Sequence, residues 1–144
     1  MFQYKPKHFA THELVPPKMF EERGDKALHL LNPQVLELAD LLREIYGPTF
    51  INTYNLGENV IRAYKLREWS GIRTPDSKWY RPYSQHTFGN ALDMVFRDVT
   101  AEQVRSDIIG GVIELPYPVV LEKSVSWIHI ACANYYDNIT LVGK

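Results

Sequence analysis

Residues 84–96 read SQHTFGNALDMVF, and the fold follows from this stretch: a loop turning at Gly89 delivers the chain into a strand at Ala91–Phe96. In that strand Leu92, Met94 and Phe96 face one way, and Ala91, Asp93 and Val95 face the other. Downstream, VVLEKSVSWIHIAC at 119–132 divides into Val119–Glu122 and Trp127–Cys132, a hairpin closed over Lys123–Ser126. Here Ile128, Ile130 and Cys132 share one face, and Trp127, His129 and Ala131 the other. The large aliphatic residues mark the core face of both strands. The second face carries one acid, one histidine and two alanines, which leaves room above the sheet for a site.

The rest of the chain surrounds this unit. Asn32 to Tyr46 reads as a helix: Asn32 is an N-cap type, Pro33 suits the first turn, and Gly47-Pro48 stop it. Val35, Leu38, Leu42 and Ile45 give it one apolar stripe. Phe50–Leu56 reads as a strand. Residues 57–85 form a long irregular segment with a helical turn or two around Asn59–Glu68. Its Trp69, Trp79, Tyr80 and Tyr83 stand among Arg67, Arg73 and Arg81, a composition suited to an ordered, ligand-facing loop. Thr100 opens a second helix, with Gln103 completing a capping box and Gly110-Gly111 closing it. Asn138–Val142 is a last strand, and residues 1–18 read as an extended arm. The order implies one α+β domain over residues 1–144, an antiparallel sheet with helices packed on one face.

Composition narrows the function. The 144 residues are 45% apolar and 23% charged, ordinary globular values. The net charge of −1, with both signs interspersed, speaks against nucleic acid or an anionic membrane as partner. Cys132 is the single cysteine and falls on the core face, where it serves as an inert buried thiol. The first residues, MFQYKPKHFATHELVPPK, lack a long apolar run. They suggest a protein made in the cytoplasm, with no membrane insertion.

His86 lies in the loop that enters the Asp93 strand. Two imidazoles and a carboxylate, His86, His129 and Asp93, converging on an open position form the ligand set of a catalytic zinc. One such ion lowers the pKa of its water towards about 7 and polarises a carbonyl. Pairing Lys123 with Ser126 places Glu122 opposite Trp127 and Val120 opposite His129. Glu122 then sits diagonally from His129 on the same face, where it can act as the base. Each residue alone also has a plain structural reading. His129 fits a core histidine, Asp93 an arginine partner, Glu122 a solvated turn residue and Arg73 a surface charge. Ser84 fits a backbone acceptor and Trp127 a lid on the core. The conjunction on one face favours the site.

The pattern S-x-H-x-x-G-x-A-x-D (Ser84, His86, Gly89, Ala91, Asp93) followed by W-x-H (Trp127, His129) resembles the D-alanyl-D-alanine carboxypeptidase superfamily of zinc peptidases. That group includes phage L-alanyl-D-glutamate endolysins and the hedgehog signalling domain. Trp69-Ser70-Gly71-Ile72-Arg73, Thr100-Ala101-Glu102-Gln103-Val104-Arg105 and Leu121-Glu122 resemble segments of its small, mostly phage-encoded members, so the likeness runs from Pro33 to Ile130. It implies a hedgehog-like fold, with His86, Asp93 and His129 as zinc ligands. It implies that Arg73 stabilises the carbonyl oxygen or holds a substrate carboxylate, and that Ser84 and Trp127 line the substrate pocket. The implied substrate is the peptidoglycan stem peptide, with its D-amino acids. Many members carry their catalytic acid three residues before the last histidine; here that position is Ser126, and Glu122 is the substitute.

Three functions compete. The first is a zinc peptidase of the bacterial cell wall, carried in a phage virion or released to the wall. The second is a catalytically inactive module of the same fold, a structural or binding protein among phage virion proteins. The third is another metal-dependent hydrolase, such as an amidase or phosphoesterase, with the same ligand set and a different substrate. Phosphate chemistry would favour further basic residues or a second metal site, and no second cluster of ligands is visible in the sequence. His8, His12 and His29 match no part of the pattern. Tyr54 and Asn55 lie beside the expected cleft as ligand contacts.

Overall fold

The helix Pro33–Tyr46 begins as its local sequence dictates, in a computed structural model that describes residues 3–54, 56–134 and 136–144. Asn32 Oδ1 accepts the Gln34 N–H at 2.9 Å, Pro33 takes the first turn, and Gly47 ends the helix at φ 88°. Val35, Leu38 and Leu42 are fully buried, but Ile45 is 45% exposed. The stripe continues instead through Tyr46, whose ring lies 5.7 Å from Phe96. From Leu42 the face can step three or four residues, and the ring contact selects four.

The elements run α1 (Thr11–Leu14), α2 (Pro17–Arg23), a 3-10 segment (Gly24–Leu30), α3 (Pro33–Tyr46), β1 (Thr49–Phe50), α4 (Glu58–Tyr64) and β2 (Ala91–Phe96), then α5 (Ala101–Ile109), β3 (Val119–Glu122), β4 (Ile128–Ala131) and β5 (Ile139–Val142). The fold is α+β. Residues 1–18 are not simply an extended arm, because α1 and the start of α2 fall within them. Asp40, 1% exposed, holds the segment before α1 by accepting from Tyr4 Oη and from the backbone N–H groups of Lys7 and His8. Thr100 Oγ1 caps α5 by accepting the Gln103 N–H, but the Gln103 side chain bonds Asp107 rather than closing the box.

The sheet is mixed rather than antiparallel throughout. Its order is β1-β2-β4-β3-β5, and β5 runs parallel to β3, with Val119 opposite Ile139. The cause is where β4 ends. Ala131 finishes opposite Val120, near the start of β3, so a short connection starts β5 at that end. Its inner flank is already occupied by β4, which leaves the outer edge of β3. The expected strand Phe50–Leu56 shrinks to β1. Asp93 N–H is taken by Ser70 O at 2.6 Å and Asn52 N–H by Glu13 O at 3.1 Å, so the ladder beyond Val95 is occupied by other segments.

Face parity holds. Leu92, Met94, Phe96, Leu121, Ile128, Ile130 and Cys132 join one core with Val35, Leu38 and Leu42 of α3 and Val104 and Ile108 of α5. Leu92, Met94, Ile128 and Ile130 are at most 1% exposed, and burial of each contributes about 2 kcal/mol. Burial pushes the Cys132 thiol up to about 12, which makes it unreactive. Ala91, Val120 and Ala131 form a separate small cluster on the opposite face. Among the described residues no helix is long and apolar enough to cross a membrane.

Candidate metal centre

The alanine-lined face is where the chemistry gathers. The β2–β4 register sets Asp93 directly opposite His129, which holds them together without help from a loop. Asp93 is 4% exposed, and His129 Nδ1 lies 2.9 Å from Asp93 Oδ1.

His86 is delivered by the turn before β2. Ser84 Oγ accepts the His86 N–H at 3.2 Å, and Arg73 N–H donates to His86 O. Gly89 has φ +72°, and a Cβ there would lie 1.9 Å from Leu30 O. Gly89→Ala is therefore expected to lower stability by about 3 kcal/mol, read by urea unfolding, because a left-handed backbone and a backbone clash act together. The His86 ring is buried with Nδ1 2.8 Å from Gly71 O. A carbonyl only accepts, so Nδ1 carries the proton and Nε2 presents its lone pair inward.

His86 Nε2 lies 3.1 Å from His129 Nδ1 and 3.3 Å from Asp93 Oδ1. The three atoms make a triangle with edges of 2.9–3.3 Å. Donors placed tetrahedrally around zinc at about 2.0–2.2 Å stand about 3.3–3.6 Å apart, so an opening of a few tenths of an ångström suffices. The chemistry points the same way. Asp93 Oδ1 and His86 Nε2 are both lone-pair atoms, and only a proton on His129 or a cation can relieve their approach. Among the described residues this is the group of histidines, cysteines and acids whose ligand atoms converge in this way.

The surroundings keep Asp93 ionised. Burial pushes its carboxyl up, but hydrogen bonding to His129 and the close approach of the two histidines override this and hold it well below the usual carboxylate range. Arg73 donates from Nη2 to Asp93 Oδ2 at 2.8 Å and from Nε to Trp69 O at 2.8 Å. Burial lowers the pKa of Arg73, while the charges of Asp93 and Glu122 work against that. The guanidinium stays protonated and turns Oδ1, not Oδ2, towards the histidines.

Glu122 reaches this face by a different register from the expected one. Val120 pairs with Ala131, and Leu121 with Ile130, so the next position sets Glu122 beside His129 directly rather than diagonally. The hairpin is wider than a two-residue turn: Ser124 takes φ 61°, and Arg105 donates to the carbonyls of Glu122, Val125 and Trp127. The slip is two residues, an even number, so the face is preserved. Glu122 is half-buried, and its charge reaches Arg73.

Of the remaining expected residues, Ser84 holds the His86 turn, as above. Trp127 is half-buried with its ring beneath the Arg67 guanidinium at 4.1 Å. Tyr54 packs on His12 and Phe20 at 5.4 and 5.7 Å. Asn55 lies outside the described residues. His8 bonds Glu44 at 2.9 Å, away from the triad. Sequence alone does not bring Arg67, Gly71 and Arg105 to the centre. Their only signal was membership of W-S-G-x-R, of T-x-E-x-V-R and of the basic, aromatic loop. Compared with known proteins, the chain matches no family model, no curated protein and no solved structure.

Proposed function

We propose that this chain is a zinc peptidase that hydrolyses D-amino-acid-containing peptides of bacterial peptidoglycan. The observation that carries the proposal is the inward-facing triangle of His86 Nε2, Asp93 Oδ1 and His129 Nδ1, with Glu122 beside it on the same sheet face. A zinc ion held by these three would supply a Lewis acid and acidify a water near neutral pH. Glu122 takes a proton from the attacking water and returns it to the leaving amine. Arg73 keeps Asp93 oriented through Oδ2 and sets positive charge near the developing oxyanion. Gly71 O fixes the His86 tautomer, so that ring needs no reorganisation during turnover. The substrate class rests on the S-x-H-x-x-G-x-A-x-D and W-x-H resemblance.

Digestion of a synthetic stem peptide, read by mass spectrometry, tests this reading. The zinc-loaded protein is expected to release a fragment cut beside a D-residue, with activity lost on chelation and restored by zinc. An intact peptide would contradict it. The position of Ser126, exposed and three residues before His129, favours a second reading as an inactive binding module. That module would hold zinc without cutting.

A further inference from the structure

Two arginines face Asp93, and only one is bonded to it. Arg73 has committed donors to Asp93 Oδ2 and Trp69 O. Arg67 Nη2 lies 3.7 Å from the same Asp93 oxygen, beyond hydrogen-bond length. Among the described residues no hydrogen bond engages the Arg67 guanidinium. It is held instead by ring faces, 4.1 Å over Trp127 and 5.6 Å from the centroid of Trp79. Its side chain keeps 31% exposure, so this braced cation faces solvent beside the centre.

Stacking leaves the N–H fork of a guanidinium free, and that fork matches a carboxylate in two-point geometry. Charge points to the same ligand. Arg67 and Arg73 balance Asp93 and Glu122 even with no ion at the triad, and Lys78 Nζ over Trp79 at 5.1 Å leaves a positive surplus, which a divalent ion would raise.

We propose that Arg67, braced by Trp127 and Trp79, is the specificity-determining group that docks a substrate carboxylate, selecting peptides with a free α-carboxylate on the residue after the scissile bond. This deepens the peptidase reading and rests on it. Arg73, engaged with Asp93, acts on the metal ligand instead.

The test is a titration of metal-free protein with N-acetyl-D-alanine and, separately, N-acetyl-D-alaninamide, following the indole N–H resonances of Trp127 and Trp79. The acid is expected to saturate and move both resonances, and the amide to move neither. Arg67→Gln should weaken the acid about tenfold or more, the loss of a charge-assisted pair, and Arg67→Lys should fall between. An otherwise unchanged amide spectrum shows that each variant is folded. Equal response to acid and amide, no response to the acid, or unchanged affinity in Arg67→Gln would overturn the proposal. The titration cuts no bond and contains no zinc, so its failure is separate from a failure of the peptidase reading. Cleavage of the stem peptide that does not depend on Arg67 would leave that reading standing and remove this one.

Discussion

Glu122→Gln is expected to keep zinc and the fold while turnover on a stem peptide falls roughly 10²–10⁴-fold, the range for losing a positioned general base. Glutamine preserves the shape of the side chain and its place at the end of β3, and it removes only the group that accepts a proton. The backbone carbonyl of Glu122, which accepts from Arg105, is untouched, so the hairpin keeps its wide loop. Elemental analysis and urea unfolding serve as controls. Hydrolysis at the wild-type rate would remove Glu122 from the mechanism. Among the described residues Asp93 already serves the triad, so another base would have to be sought.

His129→Ala carries the second large effect. It deletes one ligand atom of the triangle and takes a hydrogen-bonding partner from Asp93 Oδ1. Zinc content should fall close to zero, because two donors from a loop and a strand cannot hold the ion as three do. Stability of the metal-free variant should drop by about 3 kcal/mol, the low end for breaking a buried pair, since Arg73 still faces Oδ2. Urea unfolding of both metal-free proteins measures this. Full zinc occupancy in the variant would mean that the ion, if bound, sits elsewhere.

The same carboxylate predicts a pH dependence. The Asp93 pKa is depressed in the folded state, so its contribution to stability is full above the ordinary carboxylate value, about 4, and is lost as acid approaches the lower folded value. Metal-free wild type should therefore lose stability below about pH 4, and Asp93→Asn should remove part of that slope. Equal slopes in the two proteins would show that Asp93 is not held ionised by its neighbours.

What could be read from the sequence was local or periodic. Asn32, Pro33 and Gly47 act within a few residues of themselves, and so does Thr100 with the Gln103 N–H. Strand parity is a property of each strand alone, so the sequence of each strand places Asp93 and His129 opposite the core face whatever their pairing. Ile45 lies off the buried face because a period near 3.6 does not choose between it and Tyr46, and the position of the Phe96 ring does. The parallel β5 depends on the end at which β4 finishes, and the width of the hairpin depends on Arg105 from another helix. Neither is written in the segment concerned. The stacking of Arg67 between two tryptophans sixty residues and twelve residues away is likewise a product of the loop path, not of any motif.

The most direct test is zinc content by elemental mass spectrometry on protein purified without added metal or a histidine tag, with His86→Ala beside it. The account predicts about one zinc per wild-type chain, since three converging donors complete a single site, and its loss in the variant. Wild-type protein that carries no zinc and fails to take it up on addition would contradict the account. The triangle would then be a hydrogen-bonded cluster closed by a proton on His129.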